Sequence, residues 1–198
     1  MRETDESTKP DFWNQRYARG DTPWAAGVVS AALNAFLSRT QNPGRVLIPG
    51  CGADYQTITA FDAAGFDVTA VDFSPVAVDK VTDLLGPGPG PKIILADFFS
   101  LAFERTFDLI YERTFLCALP PARWREYAGR VAELLLPGGL LAGVFFYGLE
   151  TEPPPYPITE VEAEQLFGRS FQLRQNEPVT DSVEMFAGME RWQEWERR

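Results

Sequence analysis

The stretch that most constrains this chain is Arg45–Asp72, RVLIPGCGADYQTITAFDAAGFDVTAVD. Val46, Leu47 and Ile48 form a short apolar run that breaks into a glycine turn at Gly50 and Gly52. A helical segment follows, and a second apolar run, Val68–Val71, ends on Asp72. Strand, glycine turn, helix, strand and terminal acid is the order of a nucleotide-binding βαβ unit. The glycines let the backbone approach a ligand, and an acid about 20 residues further on accepts hydrogen bonds from ribose hydroxyls. The third glycine of the dinucleotide fingerprint is absent, and Tyr55 stands in its place. The loop therefore suits a nucleoside better than a dinucleotide, which counts against a dehydrogenase-type NAD binder. The competing reading is a plain strand-to-helix turn with Asp72 as an ordinary strand-end acid.

Around this unit, strands and helices alternate, the pattern of a parallel sheet covered by helices. Residues 1–9 read as a loose polar tail, and residues 10–40 as a helical segment ahead of the first strand. Within it, Asp11–Gly20 reads as a short helix and Val28–Leu37 carries a helical apolar stripe. The expected strands are Arg45–Ile48, Asp67–Val71, Lys92–Ala96, Phe107–Tyr111, Leu140–Tyr147, Phe171–Asn176 and Met185–Trp195, with a helix left open for the last. Helices are expected over Tyr55–Ala64, from Pro75 to Leu85 behind a Ser74 cap, from Pro120 or Pro121 to Leu136, and over Thr159–Phe167. GPGPGP (Gly86–Pro91) reads as a surface connection. The last two strands are joined without a helix, which makes the final pair antiparallel at one edge of the sheet.

Bulk properties narrow the chemistry. The 198 residues suit a single domain spanning 1–198. A net charge of −10 argues against nucleic acid or anionic membranes as partners. Cys51 and Cys117 have neither metal-site nor disulfide-framework spacing. The N-terminus is too polar for a secretory signal, and the most apolar run, Leu134–Tyr147, is too short to span a bilayer. A cytoplasmic monomer is the expectation. No histidine occurs anywhere, so the commonest general base and the commonest metal ligand are both missing. No metal is expected.

Four separate stretches in order resemble the thiopurine S-methyltransferase family of class I S-adenosylmethionine-dependent methyltransferases, with its halide and thiol methyltransferase relatives. They are FWNQRYARGDTPW (Phe12–Trp24), PGCG (Pro49–Gly52), YERTFLCALPPARWREYA (Tyr111–Ala128) and PPPYPIT (Pro153–Thr159). The resemblance covers nearly all the chain beyond residue 10. It implies an α/β fold: a seven-stranded, mostly parallel Rossmann-like sheet with the last strand antiparallel, helices on both faces and an N-terminal helical cover over residues 10–40. It also implies S-adenosyl-L-methionine as cofactor, S-adenosyl-L-homocysteine as product, and a small-molecule methyl acceptor.

Carried over residue by residue, the resemblance places Gly50, Cys51 and Gly52 along the methionine part of the cofactor and Trp24 closing over it. Asp72 takes the ribose hydroxyls, with Phe73 beside it. Asp97 accepts from the adenine amino group and Phe98 lies against the ring. Glu112 belongs to the cofactor set and also, with Arg113 and Tyr156, to the catalytic set where the methyl group emerges. Several of these have a simpler alternative: Cys51 and Cys117 as small buried hydrophobes, Asp97 as a turn cap, Trp13 as core, and Glu112 with Arg113 as a surface pair. The reaction this implies is methyl transfer to a soft nucleophile such as a thiol, thiopurine, thiocyanate, halide or reduced chalcogen. The rivals are an O- or N-methyltransferase of a small metabolite and a non-catalytic binder of S-adenosylmethionine.

Overall fold

In the computed structural model, residues 6–103, 106–148 and 152–198 are described. The strands are β1 (Arg45–Pro49), β2 (Asp67–Asp72), β3 (Lys92–Leu95), β4 (Phe107–Arg113), β5 (Leu135–Phe146), β6 (Phe171–Pro178) and β7 (Glu190–Arg197). They form one sheet in the order β3-β2-β1-β4-β5-β7-β6. β1 through β5 run parallel, and β7 is antiparallel to both β5 and β6. The chain order reverses between β1 and β4. That switch point opens a crevice beyond the carboxyl ends of the strands, where such sheets bind ligands.

Alternation along the strands feeds two cores. Val46 and Ile48 face one side with Leu33 and Phe36 of α2 (Ala31–Arg39), Ile58 and Phe61 of α3 (Tyr55–Ala63), and Val81 of α4 (Pro75–Leu85). Leu47 faces the other with Tyr127 and Val131 of α5 (Trp124–Leu134) and Phe167 of α6 (Glu160–Phe167). The helices begin where side chains satisfy their first N–H groups: Ser30 for α2, Asp54 for α3, Ser74 for α4, and a Thr159–Glu162 capping box for α6. Each such cap contributes about 1 kcal/mol.

α1 (Pro10–Arg19) lies over the carboxyl end of the sheet. It is fastened there by Ser74, whose Oγ donates to Asn14 Oδ1 at 2.6 Å, and by Lys80, which donates to the Tyr17 carbonyl. Before it, Glu6–Thr8 form a 3₁₀ turn with Ser7 buried, and Trp13 Nε1 donates to the Ser7 carbonyl at 2.8 Å. The tail expected over residues 1–9 is thus packed from Glu6 onward; Met1–Asp5 lie outside the described residues.

Other boundaries differ for local reasons. The second helix starts at Ala31 rather than Val28, because Ser30 Oγ accepts from Leu33 N–H; Val28 is left exposed. β5 starts at Leu135, before the Pro137-Gly138-Gly139 turn rather than after it. Phe107 pairs with Leu135 and Leu109 with Leu140, so residues 136–139 loop out opposite Asp108 alone and the ladder resumes. β7 starts at Glu190 rather than Met185, since Glu184–Phe186 form a 3₁₀ turn that buries Phe186; the helical alternative there gives way to a strand.

Candidate active site

At the switch point lies a cavity of about 1020 Å³, its open mouth included. Its wall is drawn from the glycine turn (Gly50), the end of β2 (Asp72, Phe73), the loop after β3 (Asp97, Phe98, Phe99), the turn after β4 (Thr114, Phe115, Cys117), and α1 with Trp24 above it. Pro154, Pro155, Met185 and Phe186 complete it. Thr151, in the expected acceptor loop, lies outside the described residues.

Asp72 is 7 % exposed. Its Oδ2 accepts from Gly52 N–H and its Oδ1 from Ser74 N–H, each at 2.8 Å. Burial raises its carboxyl pKa, and the Ser74 and Gly52 N–H groups oppose that by favouring the charge. An ionised carboxylate offers about four acceptor positions. Capacity therefore remains for a ligand hydroxyl. Gly50 and Gly52 both have left-handed φ, +59° and +55°. A Cβ at Gly50 would overlap the Phe115 ring, and one at Gly52 the Tyr17 hydroxyl. Only glycine admits these two aromatic groups so close to the turn.

Cys51 is buried, does not line the cavity, and its N–H donates to the Val71 carbonyl at 3.1 Å. Burial and the neighbouring Asp72 push its thiol far up, so it stays protonated. Asp97 lines the cavity while its Oδ1 accepts from Phe99 N–H at 3.0 Å, so one oxygen performs the turn-capping role. Phe98 is packed edge-on against Phe99 and Phe115; Phe99, half-buried, carries the Arg123 guanidinium 3.7 Å from its ring centroid. Trp24 meets Trp13 and Tyr17 edge-to-face, at 5.5 and 6.0 Å.

The three residues of the expected catalytic set stand apart from this cavity. Glu112 is 1 % exposed. Its Oε1 accepts from Phe115 and Leu116 N–H, both at 2.9 Å, and its Oε2 from the Tyr127 hydroxyl at 2.6 Å. Burial pushes its carboxyl up to about 7, against those three hydrogen bonds. It clamps the turn in which Thr114 takes a left-handed φ of +57°, a conformation that costs a non-glycine residue about 1 kcal/mol. Tyr156 shares a smaller cavity with Glu112, and its N–H donates to the Cys117 carbonyl at 2.7 Å. Arg113 turns to the opposite face of the sheet, with Nη1 4.0 Å from Glu190 Oε1. It is no surface pair: the side chains are 11 % and 2 % exposed.

Several wall residues escaped the sequence reading. Trp13 and Tyr17 sit four apart on α1, a spacing that puts both on one helix face. Phe115 lies two residues beyond the end of β4, and nothing in its neighbourhood announces that it packs on Gly50. Met185 and Phe186 carry no signal, because their turn is placed by pairing of β7 far along the chain. Among the described residues, no group of three His, Cys, Asp or Glu side chains could hold a metal.

The sheet order, the cavity at its switch point and the acid on β2 define a class I S-adenosylmethionine-dependent methyltransferase. In solved structures the chain is similar to magnesium protoporphyrin IX methyltransferase from Synechocystis PCC 6803 with bound S-adenosylhomocysteine, at a TM-score of 0.77 and 17 % identity, covering 98 % of this chain and 100 % of that one. Among curated proteins it is 31 % identical to a probable thiol methyltransferase 2 of Arabidopsis thaliana, over 78 % of this chain and 70 % of that protein. It is 30 % identical to a thiopurine S-methyltransferase of Methylococcus capsulatus, over 83 % of each. Residues 8–197 match the family described as thiopurine S-methyltransferase (TPMT), and the chain belongs to that family.

The residues present fit an adenosyl donor. Asp72 faces the cavity with acceptor capacity left over, the glycine turn leaves backbone exposed beside it, and the walls are aromatic. No helix among the described residues is long and apolar enough to cross a membrane.

Proposed function

We propose that the protein transfers the methyl group of S-adenosyl-L-methionine to the sulfur, or a similarly soft atom, of a small molecule. The observation that carries this reading is Asp72: a buried carboxylate held by two backbone N–H groups at the mouth of a glycine turn, on the wall of an aromatic cavity. The bound donor supplies a methyl group already activated by a positively charged sulfur. What remains for the protein is to bind, align and keep water out. Asp72 would hold the ribose, with Phe73 beside it; Asp97, Phe98 and Phe99 the adenine; Gly50, Trp13 and Trp24 the methionine side, with Cys51 and Gly52 shaping the turn from behind.

Pro154, Pro155, Met185, Phe186 and Cys117 form the acceptor end. Glu112 already holds three hydrogen bonds and serves the reaction by fixing the turn after β4. Tyr156 supports the same turn, and Arg113 stands behind the wall, 4.0 Å from Glu190, without lining the cavity. A soft nucleophile suits a site without histidine because it needs no strong base. Two buried free cysteines favour a reducing, cytoplasmic setting. Large exposed apolar side chains are spread over separate elements (Val28, Leu84, Leu95, Val161, Leu173), which favours a monomer.

The test is a labelled-methyl assay against thiols, thiopurines, thiocyanate, iodide, reduced selenium compounds, and phenols and amines as counter-examples. Transfer confined to the soft acceptors is expected; transfer to phenols or amines alone would overturn it. Asp72→Ala should weaken S-adenosylhomocysteine binding by about tenfold or more in calorimetry, the loss of hydrogen bonds to a charged group. Unchanged affinity would remove Asp72 from the ribose site.

A further inference from the structure

The carboxyl end of β4 and the start of β7 share a buried charge pair that the cavity wall conceals. Arg113 and Glu190 lie on the same face of the sheet: Arg113 pairs with Val144, and Glu190 with Phe146, two residues on along β5. Neither lines the cavity. Cys117, which does, packs with Phe146 and Phe186, and both charges act on its thiol. The pair therefore sits one side chain behind the acceptor end.

The pair is loose and poorly satisfied. Among the described residues, Arg113 Nη1 and Tyr111 OH are buried without a hydrogen-bond partner, and the Ser182 hydroxyl beside Glu190 makes at best a poorly aligned contact to it. Two desolvated ions at 4.0 Å with orphaned atoms are a weak source of stability. Their mutual cancellation is a different matter. A buried guanidinium next to an apolar pocket would be strongly felt by any anion placed there, because the intervening medium screens poorly. An ionised Glu190 at 4.0 Å opposes that field.

We infer that Glu190 is a specificity-determining residue: by compensating Arg113 behind the Cys117–Phe186 wall, it withholds from the acceptor end the positive charge that a small inorganic anion would need. The inference rests on the proposed assignment of that end. The acceptor it selects is an uncharged organosulfur molecule bound by the apolar wall of Trp24, Pro154, Pro155, Met185 and Phe186. Thiocyanate, iodide and hydrosulfide gain little there.

The experiment measures thiocyanate affinity by calorimetry on the full-length protein saturated with S-adenosylhomocysteine. Glu190→Gln should tighten thiocyanate binding about tenfold or more and raise the kcat/KM ratio of thiocyanate over an aliphatic thiol, assayed well below that thiol's own pKa, in the same direction. Affinity within twofold of the parent protein would overturn the inference. The double variant Arg113→Met, Glu190→Met removes the cation together with its compensating anion, an exchange that buried ion pairs often tolerate. It should bind thiocyanate within about twofold of the parent; a tenfold loss would show that Arg113 was never compensated and would overturn the inference even if Glu190→Gln fails to fold. The binding readout is independent of turnover. A protein that methylates nothing in the panel yet shows these shifts would refute the proposed reaction and leave the role of Glu190 standing.

Discussion

Glu112 joins a carboxylate to two backbone N–H groups and a tyrosine hydroxyl inside the protein, and its ionisation is linked to folding. Its carboxyl stands near 7 in the folded chain against an ordinary 4.5, so the native state holds this proton more tightly than the unfolded one. The sign follows: the contribution of this group is fully present below about pH 4.5 and is lost as pH rises through about 7. The loss amounts to roughly 3 kcal/mol. Glu112→Gln keeps an acceptor for the Phe115 and Leu116 N–H groups but cannot titrate. Urea melts between pH 4.5 and 7.5 should show the parent protein losing stability relative to this variant by about that amount. Parallel pH curves for the two proteins would show that Glu112 does not carry the shift.

The elements divide into those that carry the sheet and one that closes the cavity. α1 is short and brings Trp13, Arg16 and Tyr17 to the wall, held by the Ser74–Asn14 and Lys80–Tyr17 contacts. Asn14→Ala removes one fastening while Ser74 still caps α4. It should weaken S-adenosylhomocysteine binding several-fold and lower folding stability by no more than about 1 kcal/mol, the usual worth of one hydrogen bond. Calorimetry and a urea melt on the same variant read the two effects apart; an equal loss in both would make α1 part of the core rather than a cover. At this scale the sequence was legible wherever periodicity and caps agreed. The run from Arg45 to Asp72, the Ser74–Pro75 start of α4 and the antiparallel direction of β7 all follow the patterning. It was illegible where pairing overrode local signals: Pro137-Gly138-Gly139 reads as a strand stop, yet Leu135 already pairs with Phe107 and the turn loops out of the ladder. Phe115 and Phe186 reach the cavity through contacts between distant segments, and no window of sequence contains those.

For the molecule as a whole, a net charge of −10 surrounds a site that takes a cationic donor and releases an uncharged product. Long-range attraction accelerates the encounter of opposite charges and fades as salt shortens its reach. The association rate of S-adenosylmethionine, followed by stopped-flow tryptophan fluorescence, should fall several-fold between about 20 mM and 500 mM salt. That of S-adenosylhomocysteine should change little. Equal salt dependence for the two would mean that the acidic surface does not steer the donor. The same field works against anionic acceptors before they reach the wall, in step with the compensation of Arg113 by Glu190.

The engagement of both Glu112 oxygens reaches beyond stability. A carboxylate that holds a turn through three hydrogen bonds and does not line the main cavity is poorly placed to strip hydrogen from an incoming thiol, and the chain has no imidazole to do so instead. Ionisation of the acceptor is then set by the acceptor itself, so across a series of thiols of similar shape the most acidic would be consumed fastest at low pH, with reactivity tracking the molecule supplied rather than any group on the enzyme.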